Sequence, residues 1–334
     1  MGKLAPDDLK GVLRCIRGSR DVLVPPLPGF DCGVHRLGKE RCVVVATDPC
    51  INVPMEHFGW LLLHYSASDV SVFGASPQFC TINLLGAPRT RPRVFKEAMR
   101  QVCAAARGLR TTIITGHTGT YDGIDTLLGV CTAYGFLPIR DLITPAGARP
   151  GDLILCTKPM GLEVLTNMAI RRKRLATKLF GAARVRYLAR RIRMQSCVRE
   201  ARMLVGSKAV SAMHDVTEGG LVAALGEMAN ASNVGFVFNY KKLYLLSELK
   251  KLVDHFRLSR EQLLSMSSTG TLLAAISPRH EDRILNMLAA SGVHPQVVGA
   301  FTKDRKRIVR CDGRETSFPA DFDDPYAMIV GADS

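Results

Sequence analysis

The sequence predicts an α+β fold in two domains, and three observations carry that prediction. Helical and strand-like stretches follow one another irregularly, with strands too clustered for simple βαβ alternation. At 334 residues the chain is long enough for two hydrophobic cores of ordinary size. Turn residues gather in "TPAGARPGD", which places a boundary near 145–152 and divides the chain into 1–147 and 148–334. Hydrophobic residues at 47% and charged residues at 22% are globular proportions and exclude a disordered chain. No apolar run approaches the roughly 18 residues of a membrane span. The opening "MGKLAPDDLKGVLRCIRG" has no signal-peptide core, so the expected location is the cytoplasm, away from membranes.

The first half reads as a helix over about 7–17, then the Pro/Gly-rich loop "VPPLPGFDCG", then the strand "RCVVVATD" with its β-branched run. A helix over about 56–73 ends at Gly74 and leads into the strand "QFCTINLLG" and a helix over about 92–108. "TTIITG" and "TLLGVCTAYGFL" are further strands, flanking a loop "HTGTYDGID". The second half opens on the strand "DLILCTK", which runs into the glycine and helix of "PMGLEVLTNMA". After a basic segment and a glycine-bearing helix start comes a less regular stretch to about 265. The strand "GTLLAAIS", a helix near 279–291 and the strands "PQVVGAF" and "RIVRCD" complete the order.

Net charge is +15, which favours anionic partners without choosing among nucleotides, phosphorylated substrates and nucleic acid. Much of it lies in residues 171–193, "RRKRLATKLFGAARVRYLARRIR", which contain no acidic residue. Leu175, Leu179, Val185, Leu188 and Ile192 recur there at roughly helical spacing, the pattern of a basic amphipathic helix or helix pair. Its basic side is either a solvated face or a contact for nucleic acid or a membrane surface. The ten cysteines form no CxxC pair and no close Cys/His cluster. They read as small buried hydrophobes, Cys15 included, with a metal site or disulfide the alternative.

The most informative stretch is "SAMHDVTEGGLVAALGEMANAS", residues 211–232. Leu221, Leu225, Met228 and Ala229 fall on one helical stripe, so a helix starts near Glu218. Asp215 or Thr217 can cap it, and Gly219 and Gly220 expose first-turn N–H groups of the kind that attract phosphate. Asp31, Asp48 and Asp69 stand where a β run or tight turn would present them at a domain edge. Carboxylates converging there would need cations, and Mg²⁺ carrying nucleotide phosphates is the usual answer; taken singly, each is equally a turn or cap residue.

In order, "GKLAPDDLKGVL", "LVPPLPGFDCGV", "VATDP", "SASDVSVFGASP", "TGHTGTYDG", "GDLILCTKPMG", "AMHDVTEGGL", "TGTLLAAISP" and "VVGAFTKD" with the later "DGR" resemble the aminoimidazole ribonucleotide synthetase superfamily over nearly the whole chain. Within it the likeness is to archaeal-type relatives of the hydrogenase maturation factor that dehydrates a carbamoyl group. The resemblance implies two α+β domains, the first pairing its sheet with a second subunit into a β-barrel of a homodimer, and ATP held in a cleft. Members use ATP to phosphorylate an oxygen, commonly of an amide or carbamoyl group, on a small molecule or a protein. Asp31, Asp48 and Asp69 match the family's Mg²⁺ and ATP carboxylates. "HDVTEGGL" matches its phosphate-side helix start, with Asp215 in a catalytic place, Glu218 facing the cleft and Gly219 and Gly220 as backbone donors; Thr118 falls in a nucleotide-binding stretch. A non-catalytic ATP-binding assembly or regulatory factor and a nucleic-acid-binding protein are the other readings.

The chain departs from the family in three places. Phe30 and Asp31 stand where paired acids are usual, and His117 where an acid is usual. Histidine is a poor ligand for a hard cation, so His117 is expected to donate to a phosphate, to move a proton or to be a plain loop residue, with Asp122 or Asp125 restoring the charge. The maturation factor's acceptor cysteine sits in a short carboxyl-terminal tail, whereas here "YAMIVGADS" has no thiol and Cys311 lies in an expected strand. No carbamoyl or cyano group is therefore expected on this chain's own cysteines.

Overall fold

The computed structural model describes residues 4, 6–320 and 323–331. They divide into two compact units, Pro6–Leu142 and one running from Ile143.

The first unit holds α1 (Pro6–Leu13), β1 (Val22–Val24), β2 (Gly33–Leu37), β3 (Arg41–Ile51), α2 (Phe58–Val72), β4 (Phe79–Gly86), α3 (Pro92–Leu109), β5 (Thr112–Thr120) and β6 (Leu128–Pro138). Its six strands run in the order β1-β2-β3-β6-β4-β5. Only β4 and β5 are parallel, and α3 is the crossover between them. β3, β4 and β6 alternate buried and half-buried residues, so one face of the sheet is covered. The covering element is α2, which is apolar around nearly its whole girth and buries Phe58, Leu61, Leu62, Leu63, Ala67 and Val70. A Cβ on Gly129 of β6 would sit 2.8 Å from Leu62, and one on Gly59 would sit 2.2 Å from the Ala98 carbonyl of α3. Glycine at these two places lets α2 lie close to the sheet beneath and the helix above. Gln101 of α3 accepts the first-turn Gly59 N–H at 2.9 Å, satisfying a donor that α2 cannot satisfy itself.

The second unit contains β7 (Leu153–Cys156), α4 (Leu162–Arg171), α5 (Lys173–Phe180), α6 (Ala182–Ala189), α7 (Val198–Ser207), β8 (Val210–Asp215), α8 (Gly220–Ser232), β9 (Gly235–Asn239), α9 (Ser247–Phe256), α10 (Arg260–Leu264), β10 (Leu272–Ile276), α11 (Glu281–Ala290), β11 (Gln296–Thr302), β12 (Arg307–Cys311), β13 (Arg314–Ser317) and α12 (Tyr326–Val330). The seven strands are ordered β13-β12-β9-β11-β7-β10-β8, antiparallel except for β12 beside β9. Its core joins Ile154 and Cys156 of β7, Leu165 and Met168 of α4, Leu221 and Leu225 of α8, and Phe236 and Phe238 of β9.

Several expectations need correction. The first helix ends at Leu13, not 17, and Cys15 is exposed in the following turn instead of packed. The "less regular" stretch before 265 contains β9, α9 and α10; its short elements carry too few residues for their periodicity to register. "HTGTYDGID" is not wholly a loop: β5 continues through His117 and Thr118 to Thr120, because parallel pairing with β4 outweighs its glycine content. The basic segment is a helix pair, α5 and α6, with Val185, Leu188 and Ile192 buried. Among the described residues no helix is long and apolar enough to cross a membrane.

Candidate functional site

In the first unit the register places Asp48 on the face of the sheet that α2 covers. Asp48 lies inside β3, not at its end, opposite Cys131 of β6. Since Cys131 is fully buried on the covered face, Asp48 projects to the side of the sheet that α2 occupies. Ser66 of α2 donates to the Cys131 carbonyl at 2.8 Å, and Asp69 follows one helical turn later. Asp69 is therefore a buried residue in the last turn of a helix, 7% exposed, not a residue of a turn. Asp31 is half-buried in the β1–β2 loop, and its neighbour Phe30 meets Phe73, just beyond α2, with ring centroids 6.4 Å apart. Asp31 thus lies by the end of α2 through its neighbour Phe30, Asp69 in the last turn of α2, and Asp48 level with Ser66 near the middle of the helix.

Two other expected residues are divided by the sheet. Parallel pairing aligns Thr118 with Leu84 and His117 with Asn83. Leu84 is buried on the α2 side, so Thr118 shares the face of Asp48, whereas His117 shares the opposite face with Asn83. There His117 Nε2 contacts the Tyr121 hydroxyl on an exposed edge strand. Asp122 and Asp125 follow β5 in exposed loop. Within this unit, His117 does not join the carboxylates.

In the second unit, β8 delivers His214 and Asp215 at its carboxyl end, 2% and 4% exposed. The His214 ring spans two acceptors, with Nε2 2.8 Å from Glu227 Oε2 and Nδ1 2.8 Å from the Asp215 carbonyl. Gly219 and Gly220 are both left-handed, at φ 77° and 57°, and a Cβ on Gly220 would lie 2.5 Å from the Leu264 carbonyl. Their need is thus conformational and steric. The helix begins at Gly220, and neither Asp215 nor Thr217 caps it. The Gly220 N–H bonds the Thr217 carbonyl at 3.0 Å, and the Gly219 N–H donates to Asp324 Oδ2 at 3.3 Å. Asp324 also accepts from the Ser267 N–H and hydroxyl and, at 2.9 Å, from the Tyr326 N–H. The two glycine donors expected to cradle a phosphate are thus engaged within the chain, Gly219 by a carboxylate 105 residues away and Gly220 by the Thr217 carbonyl.

Two charged residues unmarked by the sequence stand close by. Glu163, in the first turn of α4, accepts the Thr269 N–H at 2.9 Å. Burial, opposed by the hydrogen bonds from Thr269 and reinforced by the Asp324 and Glu218 charges, pushes its carboxyl up to about 7. Lys158, 1% exposed, donates to the carbonyls of Met194, Ser196 and Gly270 at 2.6–3.0 Å and pairs with Glu200 at 3.2 Å. The signal for both was a charge set inside the apolar run "LILCTKPMGLEVL".

The described cysteines are all free; seven are buried, as expected, while Cys103 and Cys311 are half-exposed and Cys15 is exposed. Cys311 ends β12, in register with Arg314 of β13. Residues 332–334 of the tail lie outside the described part.

Two α+β units, one presenting carboxylates beneath a buried helix and the other an acidic strand end before a left-handed glycine pair, define a particular class of protein. The models of the "AIR synthase related protein" N-terminal and C-terminal domains match residues 29–137 and 149–312 respectively, so the chain belongs to the aminoimidazole ribonucleotide synthetase-related superfamily. The selenide, water dikinase of Carboxydothermus hydrogenoformans is 25% identical over 92% of this chain and 94% of its own. The carbamoyl dehydratase HypE of Cupriavidus necator is 28% identical over 80% of this chain and 75% of its own. A solved hydrogenase maturation protein HypE in complex with ATP superposes with a TM-score of 0.72 at 19% identity, covering 87% of this chain and 89% of that one. These relatives are ATP-utilising enzymes, in keeping with the expectation of an enzyme.

Proposed function

We propose that this chain is an ATP- and Mg²⁺-dependent enzyme that phosphorylates an amide- or carbamoyl-type oxygen, on a small molecule or on a group carried by another protein. The observation that carries the reading is that Asp48 stands on the sheet face that α2 covers and Asp69 is buried on α2 itself. With Asp31, in the loop whose Phe30 meets Phe73 just beyond α2, they are oxygen donors of the kind a hard cation takes. Bound there, Mg²⁺ would neutralise phosphate charge and position the nucleotide. The carboxylates themselves hold that cation, Thr118 offers a hydroxyl on the same face of the sheet, and Asp215, held beside His214, is the candidate proton acceptor in the second unit. Gly219 and Gly220 shape the start of α8 and Glu218 adds negative charge beside it, while the Gly219 N–H serves Asp324 and the Gly220 N–H the Thr217 carbonyl. His117, on the far face, is assigned no part in this set.

A homodimer is part of the same reading. The uncovered face of the first unit's sheet carries Val43, Val45, Phe79, Tyr134 and Phe136, and the three aromatic rings lie within 5.5–6.1 Å of one another. A half-exposed apolar sheet face of this kind suits burial against a second copy.

The test is calorimetric titration of ATP with and without Mg²⁺. Ligand-supporting groups are worth about 10–100-fold in metal affinity, so loss of a ligand charge in Asp48→Asn should weaken Mg²⁺-dependent ATP binding by at least that much, with the fold intact. Unchanged nucleotide affinity would remove Asp48 from the site.

A further inference from the structure

The basic segment has a second use. We infer that the second unit carries a separate binding site for a small planar anion of the mononucleotide class, a heteroaromatic ring bearing a phosphate, in a cleft of about 290 Å³ walled by α6.

The cleft follows from helical spacing. Arg184, Tyr187, Leu188 and Arg191 recur at three- and four-residue intervals along α6 and just beyond it, so they form one wall. Tyr244, between β9 and α9, and His294, between α11 and β11, form the opposite wall, their rings stacked with centroids 5.3 Å apart and planes 22° from parallel. Leu162, Leu188 and Val293, all buried, supply an apolar floor. Apolar ground with a few convergent polar groups is the usual composition of a small-ligand pocket, and the volume is near the lower end of the usual range.

Charge decides the sign of the ligand. Among the described residues no carboxylate lines the cleft. Arg184 is already neutralised by Glu248, a partner that holds its guanidinium in the charged form. Arg191 pairs with no acid among the described residues: it donates to the Tyr187 hydroxyl at 2.7 Å and to Met194 Sδ at 3.2 Å. Both guanidiniums lie over the Tyr187 ring, at 4.4 and 5.2 Å from its centroid, which fixes their planes. The cleft therefore offers one oriented, uncompensated guanidinium beside exposed aromatic faces. A guanidinium fork matches a phosphate, and Tyr and His faces match a heteroaromatic ring. Neither inorganic phosphate nor an uncharged nucleoside would use both features.

The experiment uses the full chain in EDTA, so that Mg²⁺-dependent binding is silent, with AMP as probe in equilibrium dialysis. AMP should bind, while adenosine and inorganic phosphate bind at least about tenfold more weakly. Arg191→Gln should weaken AMP by about ten- to a hundredfold and Tyr244→Ala should also weaken it, whereas Asp48→Asn should leave it unchanged. Tyr244 is exposed and Arg191 half-buried, and unchanged far-ultraviolet circular dichroism will show that the variants fold. Absence of AMP binding, binding indifferent to Arg191→Gln, or binding lost in Asp48→Asn overturns the site. So does steeply salt-dependent binding of an oligoribonucleotide that depends on Arg191 without any binding of AMP, since that result makes the segment a nucleic-acid surface.

Discussion

Replacing Glu163 by glutamine should make the protein more stable at alkaline pH and leave it nearly unchanged at acid pH. In the unfolded chain this carboxyl titrates near 4.5, and in the folded one burial holds it at about 7. Between those values the native state binds a proton that the unfolded state has released. Stability therefore falls as pH rises, by about 1.4 kcal/mol per pH unit, and the loss reaches about 3 kcal/mol once both states are ionised. The groups facing Glu163 explain why ionisation is resisted. Asp324 comes from the carboxyl-terminal segment and Glu218 from the turn before α8, and the Tyr326 hydroxyl is itself driven upward by burial and by the Glu163 charge. Thr269 donates to the carboxylate through both its N–H and its side chain, and a glutamine carbonyl can accept from the same donors. Urea unfolding followed by circular dichroism at pH 5, 6, 7 and 8 should show the Glu163→Gln variant gaining on the wild type until about 3 kcal/mol separates them at pH 8. A difference that stays constant from pH 5 to 8 would show that Glu163 ionises as freely in the folded protein as in the unfolded one, and the reasoning would fail.

Lys158→Met should destabilise the second unit by about 3–5 kcal/mol in the same unfolding assay, because it leaves Glu200 and three carbonyls buried without their cation. A thiol-reactive disulfide reagent should label Cys15 fastest and Cys103 and Cys311 more slowly, with the seven buried cysteines reacting only on unfolding; rapid modification of Cys131 or Cys156 in the native protein would contradict the packing.

The elements that could be read from sequence were those whose pattern is local. β3 announces itself by β-branched residues, α2 by its apolar opening "FGWLLL", and the α5–α6 pair by helical spacing on a basic background. Asp48 was also visible as an acid at the close of the β3 run, but its place on the sheet face beneath α2 was not, because that depends on the pairing of Asp48 with Cys131 and on the Ser66 bond across 65 residues. His117 was misplaced for a related reason. Its glycine-rich surroundings suggest a loop until β4 is available as a parallel partner, and strand pairing then decides which face the ring occupies.

The start of α8 shows most clearly where local reasoning stops. Two glycines before an apolar stripe do mark a helix start, and both adopt the left-handed backbone that favours glycine. What that start binds is a separate matter, because a first-turn N–H is satisfied by whichever acceptor the fold brings nearest. Here the acceptor is Asp324, held in place by the Ser267 hydroxyl and by its own neighbour Tyr326, whose helix α12 buries Ile329 and Val330 in the core of the second unit. The cap is therefore secured by hydrophobic burial far along the chain, and no inspection of residues 211–232 could have separated it from a phosphate. The same contact links two acids: the half-buried Asp324 carboxylate that accepts from Gly219 also adds, beside the larger effect of burial, to the raised proton affinity of Glu163.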